Sequence, residues 1–379
     1  MVLKRQWRNT LSIFVVAFMF WSLYINVTST YSSKTSSVSI PIEQHQPKIY
    51  IAANLYNNEK IIDNWTDQIK KLIQFYGINN IYVSIFENGS TDNTKIALKE
   101  FKEYLLDSQV HHTIVLDSRP KYFIKARIAR LAELRNLVLQ PLRQMQKEKN
   151  NDQELVYDKI LFLNDIWFNW KDAVELISSR NGDYDAVCSM DFYGEYYDMF
   201  ATREIDGKWL GSGNYPYFED KKSRELLKKK ELVPVYSCFG GMVAYNTAPF
   251  LIKRNNTSSS IIGSSTSSIL EFQLNFRSFW TDSLEDHPLD ASECCLIYSD
   301  MRKMDYTNIY INPRIKVAYD HFHYFYAHYI LPLWQPFLNL FNTPVSITDD
   351  EYILWSEKLQ SLGTIDKDDA ICLWRPAHY

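Results

Sequence analysis

Short apolar runs alternate with amphipathic segments from residue 48 onward. Runs typical of buried strands cover 48–54, 81–87, 111–117, 159–165 and 183–192. In the segments between them, apolar residues recur three or four positions apart, which predicts helices over 59–77, 90–107, 125–142 and 170–180. Strands and helices that alternate in this way favour an α/β fold, in which a mostly parallel central sheet is flanked by helices.

Polar side chains stand where these predicted strands end. They are Asn54 and Tyr56, Glu87 and Asn88, Asp117, Asn164 and Asp165, and Asp191. In open α/β sheets, ligands bind at the carboxyl ends of the strands. The sequence therefore predicts a binding site at this edge of the sheet.

The second half of the chain has a less regular pattern. Residues 233–250 read as one strand interrupted by Gly240 and Gly241, a pair that marks a kink or a close backbone approach to a ligand. Residues 291–303 read as a helix, and 309–320 as a strand followed by His321 and His323.

The N-terminal segment has the pattern of a membrane anchor. Residues 11–27 carry no charge and follow a basic cytosolic tail, 1–10, so we expect a transmembrane helix with the rest of the chain in the lumen. A cleaved signal peptide is the alternative. Residues 28–47 are rich in Ser and Thr and read as a stem, which leaves 48–379 as the folded domain.

Composition narrows the function further. A net charge of −4 gives no general attraction to nucleic acid, and a hydrophobic content of 46% suffices for a core. The five cysteines form no CxxC pair, which argues against a zinc site, and Cys238 or Cys372 could bridge to Cys294 or Cys295.

Sequons for N-linked glycosylation occur at Asn26, Asn64, Asn88, Asn255 and Asn256, and of these we expect Asn88 to carry no glycan.

Two strand ends are the strongest candidates for chemistry. Glu87 precedes a Gly-Ser-Thr turn, so it either binds the base or ribose of a nucleotide or only shapes that turn. Asp165 either holds a metal ion or caps the next helix. The chain contains neither GxGxxG nor a P-loop, so neither of those nucleotide sites is supported.

Several motifs in one order resemble those of a known family. The motifs that carry this resemblance are IAANLYNNE, IFENGSTDNT, ARIARLAELRN, ILFLND, YDMFATREIDG, SCFGG, ASECCL and INPRIKVAYD. Through them, the chain between about residues 48 and 320 is similar to the fungal capsule-type α-1,3-mannosyltransferases, the cryptococcal mannosyltransferase family. The resemblance implies a Rossmann-like GT-A fold, a GDP-mannose donor, a mannoside oligosaccharide or polysaccharide acceptor, and Mn²⁺ or Mg²⁺. It also implies retention of configuration in a type II Golgi membrane enzyme.

The resemblance also suggests roles for particular residues. Asp165, with Asn164 beside it, takes the place of the usual D-x-D as metal ligand, and His321 is a second candidate ligand. The remaining candidates are Arg127 and Arg135 for the diphosphate, Gly240 and Gly241 for the mannose, Glu293 for catalysis, and Arg203 and Asp206 for the acceptor. Two other functions stay open at this stage: transfer from a UDP-sugar, and glycan binding without catalysis.

Overall fold

The structure is a computed structural model. It describes residues 46–117, 127–149, 155–251, 254–255, 271–281, 289–341, 357, 360–361, 363 and 365–374. The predicted cytosolic tail and anchor, and the stem up to residue 45, lie outside these residues. Within the described part of the chain, no helix is both long enough and apolar enough to cross a bilayer.

Fifteen strands are described, ten of them in one central sheet. Their bounds are β1 Ile49–Leu55, β2 Ile81–Glu87, β3 His111–Leu116, β4 Lys159–Leu163, β5 Ala186–Tyr193, β6 Glu195–Tyr196, β7 Arg203–Glu204, β8 Val233–Ser237, β9 Met242–Asn246, β10 Arg254–Asn255, β11 Glu271–Phe272, β12 Phe279–Thr281, β13 Leu289–Ala291, β14 Ile309–Ala318 and β15 Leu373–Trp374. The central sheet runs β3-β2-β1-β4-β9-β5-β14-β8-β7, and β6 pairs with β5. The five strands predicted between residues 48 and 192 are all present.

The described α-helices flank this sheet or follow it. Their bounds are α1 Ile62–Tyr76, α2 Thr94–Asp107, α3 Arg127–Glu148, α4 Trp170–Ile177, α5 Lys221–Lys229, α6 Ala248–Leu251, α7 Glu293–Lys303, α8 His321–Phe325, α9 Leu331–Phe341 and α10 Lys367–Ala370. A π-helical turn, Tyr326–Ile330, joins α8 to α9.

The two faces of the sheet bury two separate apolar clusters. In β1, Ile49, Ile51 and Ala53 pack with α1, α2 and α4, whereas Tyr50 and Ala52 pack with α3 and α7. Alternate residues of a strand point to opposite faces, so one continuous apolar run supplies both clusters. The prediction of helices on both faces is therefore confirmed.

The sheet is less parallel than the sequence suggested. Strands β3, β2, β1 and β4 are mutually parallel, but β9 lies antiparallel between β4 and β5. The single strand predicted over 233–250 was wrong, because Gly240 and Gly241 both take positive φ values (57° and 72°) and reverse the chain. As a result β8 pairs with β14, and β9 enters the middle of the sheet.

Two disulfides tie the second half together. Cys295 bridges to Cys372, which was one of the predicted possibilities, and Cys188 bridges to Cys238. Cys294 is a buried free thiol. The expectation that Cys238 could bridge to Cys294 or Cys295 was wrong, because Cys188 on β5 is its partner.

Candidate active site

The strand ends named above converge at one edge of the sheet. Leu55 of β1 pairs with Glu87 of β2, and Ala53 pairs with Leu163 of β4. The backbone N–H of Asn164 then donates to the carbonyl of Gly241 at 2.9 Å. The end of β4 is thereby joined to the glycine turn before β9.

Arg135 of α3 is the central side chain of this edge. Its Nε donates to Oε1 of Glu293 at 3.3 Å, and its Nη1 donates to Oδ1 of Asn164 at 3.3 Å. Its guanidinium carbon lies 4.3 Å from the ring centroid of Phe239 and 5.1 Å from that of Phe162. A planar cation that stacks on aromatic rings and forks toward two partners is a task for Arg rather than Lys.

Two other arginines of α3, Arg127 and Arg130, lie further along the same edge. Arg130 donates to Oδ1 of Asn88 at 2.6 Å, so Asn88 is held within the protein and is only 8% exposed. Arg127 is exposed and lines the cavity next to Arg135. The positive charges of Arg127 and Arg135 both lower the pKa of Asp165.

Asp165 follows β4 and is partly buried. Its Oδ2 accepts a hydrogen bond from the side-chain amide of Asn58 at 3.2 Å. Burial raises the pKa of Asp165, and the Asn58 hydrogen bond and the two arginines oppose that effect without cancelling it. An ionised Asp165 is therefore costly here until a cation approaches it.

His321 is the first residue of α8, just after the end of β14, and that strand end is hydrogen-bonded to the segment that carries Asp165. Trp167 and Ala318 exchange two backbone hydrogen bonds, at 2.6 and 3.2 Å, and the ring of His321 lies 5.0 Å from that of Trp167. Asp165 lies two residues before this bridge and His321 three residues after it. Both predicted metal ligands therefore share one corner of the site.

The donor set at this corner fits a partial metal site. Among the described residues, no group of three His, Cys, Asp or Glu side chains is close enough to hold an ion. Mg²⁺ and Mn²⁺ prefer oxygen ligands, and Mg²⁺ is usually held by one or two carboxylates together with water and substrate phosphates. Asp165 offers one such carboxylate and His321 an imidazole in the adjoining segment, so these residues fit a site that would take its other ligands from water and a substrate.

The Gly240–Gly241 turn links two polar residues of the site. Gly240 donates its N–H to Oδ2 of Asp198 at 2.9 Å, while the carbonyl of Gly241 accepts from Asn164. A Cβ at Gly240 would overlap the backbone carbonyl of Ser189, and one at Gly241 would come within 2.8 Å of Ile166. The glycines are therefore required by backbone packing, while the approach to a mannose stays a prediction.

Asp198 is a site residue that the sequence analysis missed. Besides the N–H of Gly240, its carboxylate accepts the N–H of Ala201 at 3.2 Å, and burial raises its pKa. Behind it, the fully buried Asp191 accepts from Asp198 N–H at 3.1 Å and from Tyr319 Oη at 2.6 Å. Burial and the neighbouring Asp198 raise the pKa of Asp191 well above its usual range.

These groups surround a cavity of about 210 Å³. The polar and charged side chains on its wall include Arg127, Arg135, Asn164, Asp198, Asp290 and Glu293. Asp290 was also missed by the sequence analysis, and burial together with Glu293 raises its pKa to about 6. Carboxylates that face arginines around a concave space suit a ligand that carries both hydroxyl groups and phosphates.

Glu87, the candidate for binding a nucleotide, and the strand-end residues Asn54 and Tyr56 lie around the ends of β1 and β2. Glu87 is fully buried, accepts the backbone N–H of Ser90, and lies 3.7 Å from Lys95, so in this structure it shapes the turn. Asn54 donates to the carbonyl of Leu134 at 3.0 Å, and its Oδ1 is buried without a hydrogen-bond partner among the described residues. The backbone N–H of Tyr56 donates to Asn58 at 2.7 Å.

The two residues predicted to bind the acceptor lie outside the cavity wall. Arg203 has no exposed surface, and its guanidinium donates to main-chain carbonyls, among them that of Ile371 at 2.8 Å. Asp206 is exposed and pairs with Lys208 at 3.0 Å. Because a fully buried Arg203 offers no surface to a sugar, its role here is to anchor the C-terminal segment.

Three aromatic residues near Arg203 and Asp206, which could in principle stack on a sugar, are packed within the protein instead. Tyr215 is 9% exposed and Tyr217 2%, and Trp209 stacks against the guanidinium of Arg203 at 4.3 Å.

A comparison with protein families gives one match. The model of the family described as cryptococcal mannosyltransferase 1 matches residues 48–300, which is more than half of the chain. The α-1,3-mannosyltransferase CMT1 of Cryptococcus neoformans is 24% identical over 269 residues, or 66% of this chain and 53% of that protein. This chain therefore aligns with only about half the length of that relative.

Solved structures show a weaker similarity. The mannosyltransferase PcManGT of Pyrobaculum calidifontis, in complex with GDP-Man and Mn²⁺, is 12% identical with a TM-score of 0.36, and the match covers 81% of this chain and 66% of that one. TarS 1-349 of S. aureus is 13% identical with a TM-score of 0.35, covering 84% and 73%. Since both TM-scores are below 0.5, neither similarity bears on the ligands of this chain.

Proposed function

Because the chain belongs to the cryptococcal mannosyltransferase family, we propose that it is a GT-A glycosyltransferase that transfers mannose from GDP-mannose to a mannoside acceptor, in α-1,3 linkage and with retention. The observation that carries this proposal is the contact of Arg135 with Glu293 and Asn164 on the cavity wall. It brings α3, α7 and the end of β4 to one point, where a nucleotide sugar would meet its acceptor.

In the proposed reaction, the bond between mannose C1 and the diphosphate oxygen breaks, and its electron pair leaves with GDP. The acceptor hydroxyl oxygen forms the new bond to C1, and its proton passes to the departing phosphate or to a carboxylate. Arg127, which is exposed on the cavity wall, is suited to offset the charge of the diphosphate. Arg135 is suited to hold Glu293 and Asn164 in place.

Retention allows two routes, and Glu293 takes part in both. In the first, Glu293 attacks C1 and forms a covalent intermediate that the acceptor then displaces. In the second, the acceptor attacks from the face that GDP leaves, and Glu293 stabilises the positive charge on the sugar. Asp198 and Asp290 lie on the same cavity wall and are suited to bind sugar hydroxyl groups.

A divalent cation belongs to this proposal. Asp165 and His321 would hold it, and when bound it supplies a positive charge that lowers the cost of expelling the diphosphate. The raised pKa of Asp165 supports this placement, because a cation would offset the cost of burying that carboxylate.

We also propose that the protein is a single-pass type II Golgi membrane protein with a lumenal catalytic domain over 48–379. The uncharged run 11–27 after a basic tail supports this orientation. The Cys188–Cys238 and Cys295–Cys372 disulfides support it as well, since disulfides persist in the oxidising secretory route.

One assay tests the activity. The full chain, purified in detergent, is incubated with GDP-mannose, Mn²⁺ and methyl α-mannoside, with UDP-sugars in parallel. We expect a dimannoside with a new α-1,3 bond from GDP-mannose alone. Transfer only from UDP-sugars would contradict the proposed donor, and neither transfer nor donor hydrolysis with any sugar would indicate a glycan-binding protein without catalysis.

A further inference from the structure

A row of four aromatic rings leads from the cavity to the protein surface. Tyr319 and Tyr197 both line the cavity, and their ring centroids are 4.9 Å apart. Tyr197 is followed by Tyr193 at 6.2 Å, and Tyr193 stacks on His323 at 4.2 Å. We call Tyr319, Tyr197, Tyr193 and His323 the aromatic row.

The two middle rings of this row, Tyr193 and Tyr197, are not buried in the core of the protein. Tyr193 is 58% exposed and Tyr197 49%, whereas their neighbours Phe192 and Tyr196 are 0% and 2% exposed. Exposed apolar surface next to a polar cavity is typical of a binding site.

The backbone at this point fixes which rings face the solvent. Strands β5 and β6 form a tight hairpin in which Phe192 pairs with Tyr196 and Tyr193 pairs with Glu195. Gly194 lies at its tip with a φ of 80°, a conformation that favours glycine. Because successive side chains of a strand alternate between faces, Phe192 enters the core and Tyr193 is exposed.

Hydrogen bonds and stacking hold the row in place. The N–H of Tyr197 donates to the carbonyl of Asp191 at 3.0 Å, and Oη of Tyr319 donates to the carboxylate of the same residue at 2.6 Å. Nδ1 of His323 lies 2.7 Å from Oδ2 of Asp320, which sets the ring against which Tyr193 stacks. A surface that is already ordered loses little entropy when it binds a ligand.

We propose that the aromatic row is a binding site for the acceptor glycan, occupied by the sugars that precede the one receiving mannose. The faces of pyranose rings expose C–H groups with small positive partial charges, which the negative face of an aromatic ring attracts. The proposal rests on the proposed function in one respect, since it takes the cavity as the place of transfer. The row is continuous with that cavity through Tyr197 and Tyr319, so a chain of sugars that ends in the cavity passes over the exposed rings.

This site makes the enzyme selective for acceptor length. A single mannoside bound in the cavity against Tyr319 and Tyr197 leaves Tyr193 uncovered, whereas an α-1,3-linked mannotetraose is long enough to extend over Tyr193 as well. The tetraose is therefore expected to have a lower KM than the monosaccharide, and the difference depends on Tyr193.

The test compares both acceptors with the full chain in detergent, at saturating GDP-mannose and Mn²⁺. We expect Tyr193→Ala to raise KM for the tetraose about tenfold, a loss of one ring contact, and to leave KM for methyl α-mannoside and for GDP-mannose unchanged. Tyr193→Phe keeps the ring and retains tight binding. The matched control is Tyr329→Ala, a tyrosine that is 62% exposed but outside the row, and it leaves both acceptors unchanged.

Two outcomes would overturn the proposal. Either an equal loss with both acceptors or no loss with either would show that Tyr193 does not bind the longer glycan. Saturation-transfer NMR with the tetraose and no donor separates this proposal from the proposed function. Binding that disappears in Tyr193→Ala, in a protein that shows no transfer, upholds the glycan site and contradicts the enzyme.

Discussion

Arg135 of α3 donates its Nε–H to Oε1 of Glu293 on α7 at 3.3 Å, and the two side chains are only 8% and 4% exposed. The residues are 158 positions apart in the chain. Two charges that leave water together gain little stability from pairing. A buried pair on the wall of a cavity is therefore better explained by the placement of a reactive carboxylate than by the needs of the fold.

The first prediction concerns stability. Arg135→Ala leaves Glu293 buried without its partner, so we expect the free energy of unfolding in urea to fall by about 3 to 5 kcal/mol. Arg143→Ala is the control on the same helix, since Arg143 donates to the carbonyl of Leu274 at 2.9 Å and has no described carboxylate partner. A cost of about 1 kcal/mol is expected there. An equal loss of unfolding free energy in the two variants would show that the Arg135–Glu293 ion pair contributes no more to stability than one hydrogen bond.

The second prediction concerns catalysis. Glu293→Gln keeps the shape of the side chain and removes its charge, so we expect kcat to fall about 100-fold or more. Azide separates the two routes to retention. In Glu293→Ala, which leaves room for azide where the carboxylate was, azide restores turnover and yields a β-mannosyl azide with release of GDP if Glu293 is the nucleophile, and has no effect if Glu293 only stabilises charge. Glu175→Gln changes a surface carboxylate paired with Arg314, and full activity is expected.

The third prediction concerns the metal. Mn²⁺ with GDP is expected to raise the thermal midpoint of the wild-type protein, and Asp165→Asn to abolish most of that rise. Without metal, Asp165→Asn is expected to be at least as stable as wild type at neutral pH, since burial of the charge raises the pKa of Asp165 and this cost disappears. Asp67→Asn, a change at a carboxylate that is 52% exposed, is the control. An undiminished Mn²⁺ shift in Asp165→Asn would contradict the assignment.

The fourth prediction concerns pH. Burial raises the pKa of Asp191 to about 8 in the folded protein, whereas in the unfolded chain the carboxyl titrates near 4. Between these values the folded state binds the extra proton, so Asp191 lowers stability as pH rises through this window. Thermal midpoints measured from pH 4.5 to 8.5 are expected to fall less steeply in Asp191→Asn than in wild type. Identical slopes would mean that Asp191 is ionised throughout.

The sequence predicted the parts of the fold that local pattern determines. The strand ends at Asn54, Glu87 and Asp165 could be read because each follows an apolar run at the expected spacing. The antiparallel position of β9 could not be read, because it depends on which distant strands accept the segment after Gly241. A short buried strand has the same apolar sequence pattern whether its neighbouring strands are parallel or antiparallel to it, so the pattern does not reveal the direction.

The candidate site was predictable to a similar degree. Arg135 and Glu293 were named from motifs, but their contact depends on the packing of α3 against α7. Asp198 was missed because it lies in the irregular segment after β6, although the YDMFATREIDG motif that contains it had been noted. Tyr193 is 58% exposed and Tyr217 only 2%, and no periodicity marks that difference in a stretch rich in aromatic residues.

The last prediction concerns the disulfide between Cys295 and Cys372. Cys295 lies two residues after Glu293 on α7, and Cys372 lies between the residues whose carbonyls accept from Arg203. The bridge thus ties the start of α7 to the C-terminal segment across a separation of 77 residues.

Replacement of Cys295 and Cys372 by Ala is expected to lower the free energy of unfolding by roughly 4 kcal/mol. It is also expected to reduce kcat more than the affinity for GDP-mannose, because Glu293 loses its anchor while Arg127 and Asp165 keep theirs. Cys294→Ala, a change at the buried free thiol, is the control for stability only, because that thiol donates to Oε1 of Glu293 at 3.5 Å, and it should cost about 1 kcal/mol. If the double variant unfolds at a lower urea concentration but retains the wild-type kcat, the bridge stabilises the fold without positioning Glu293.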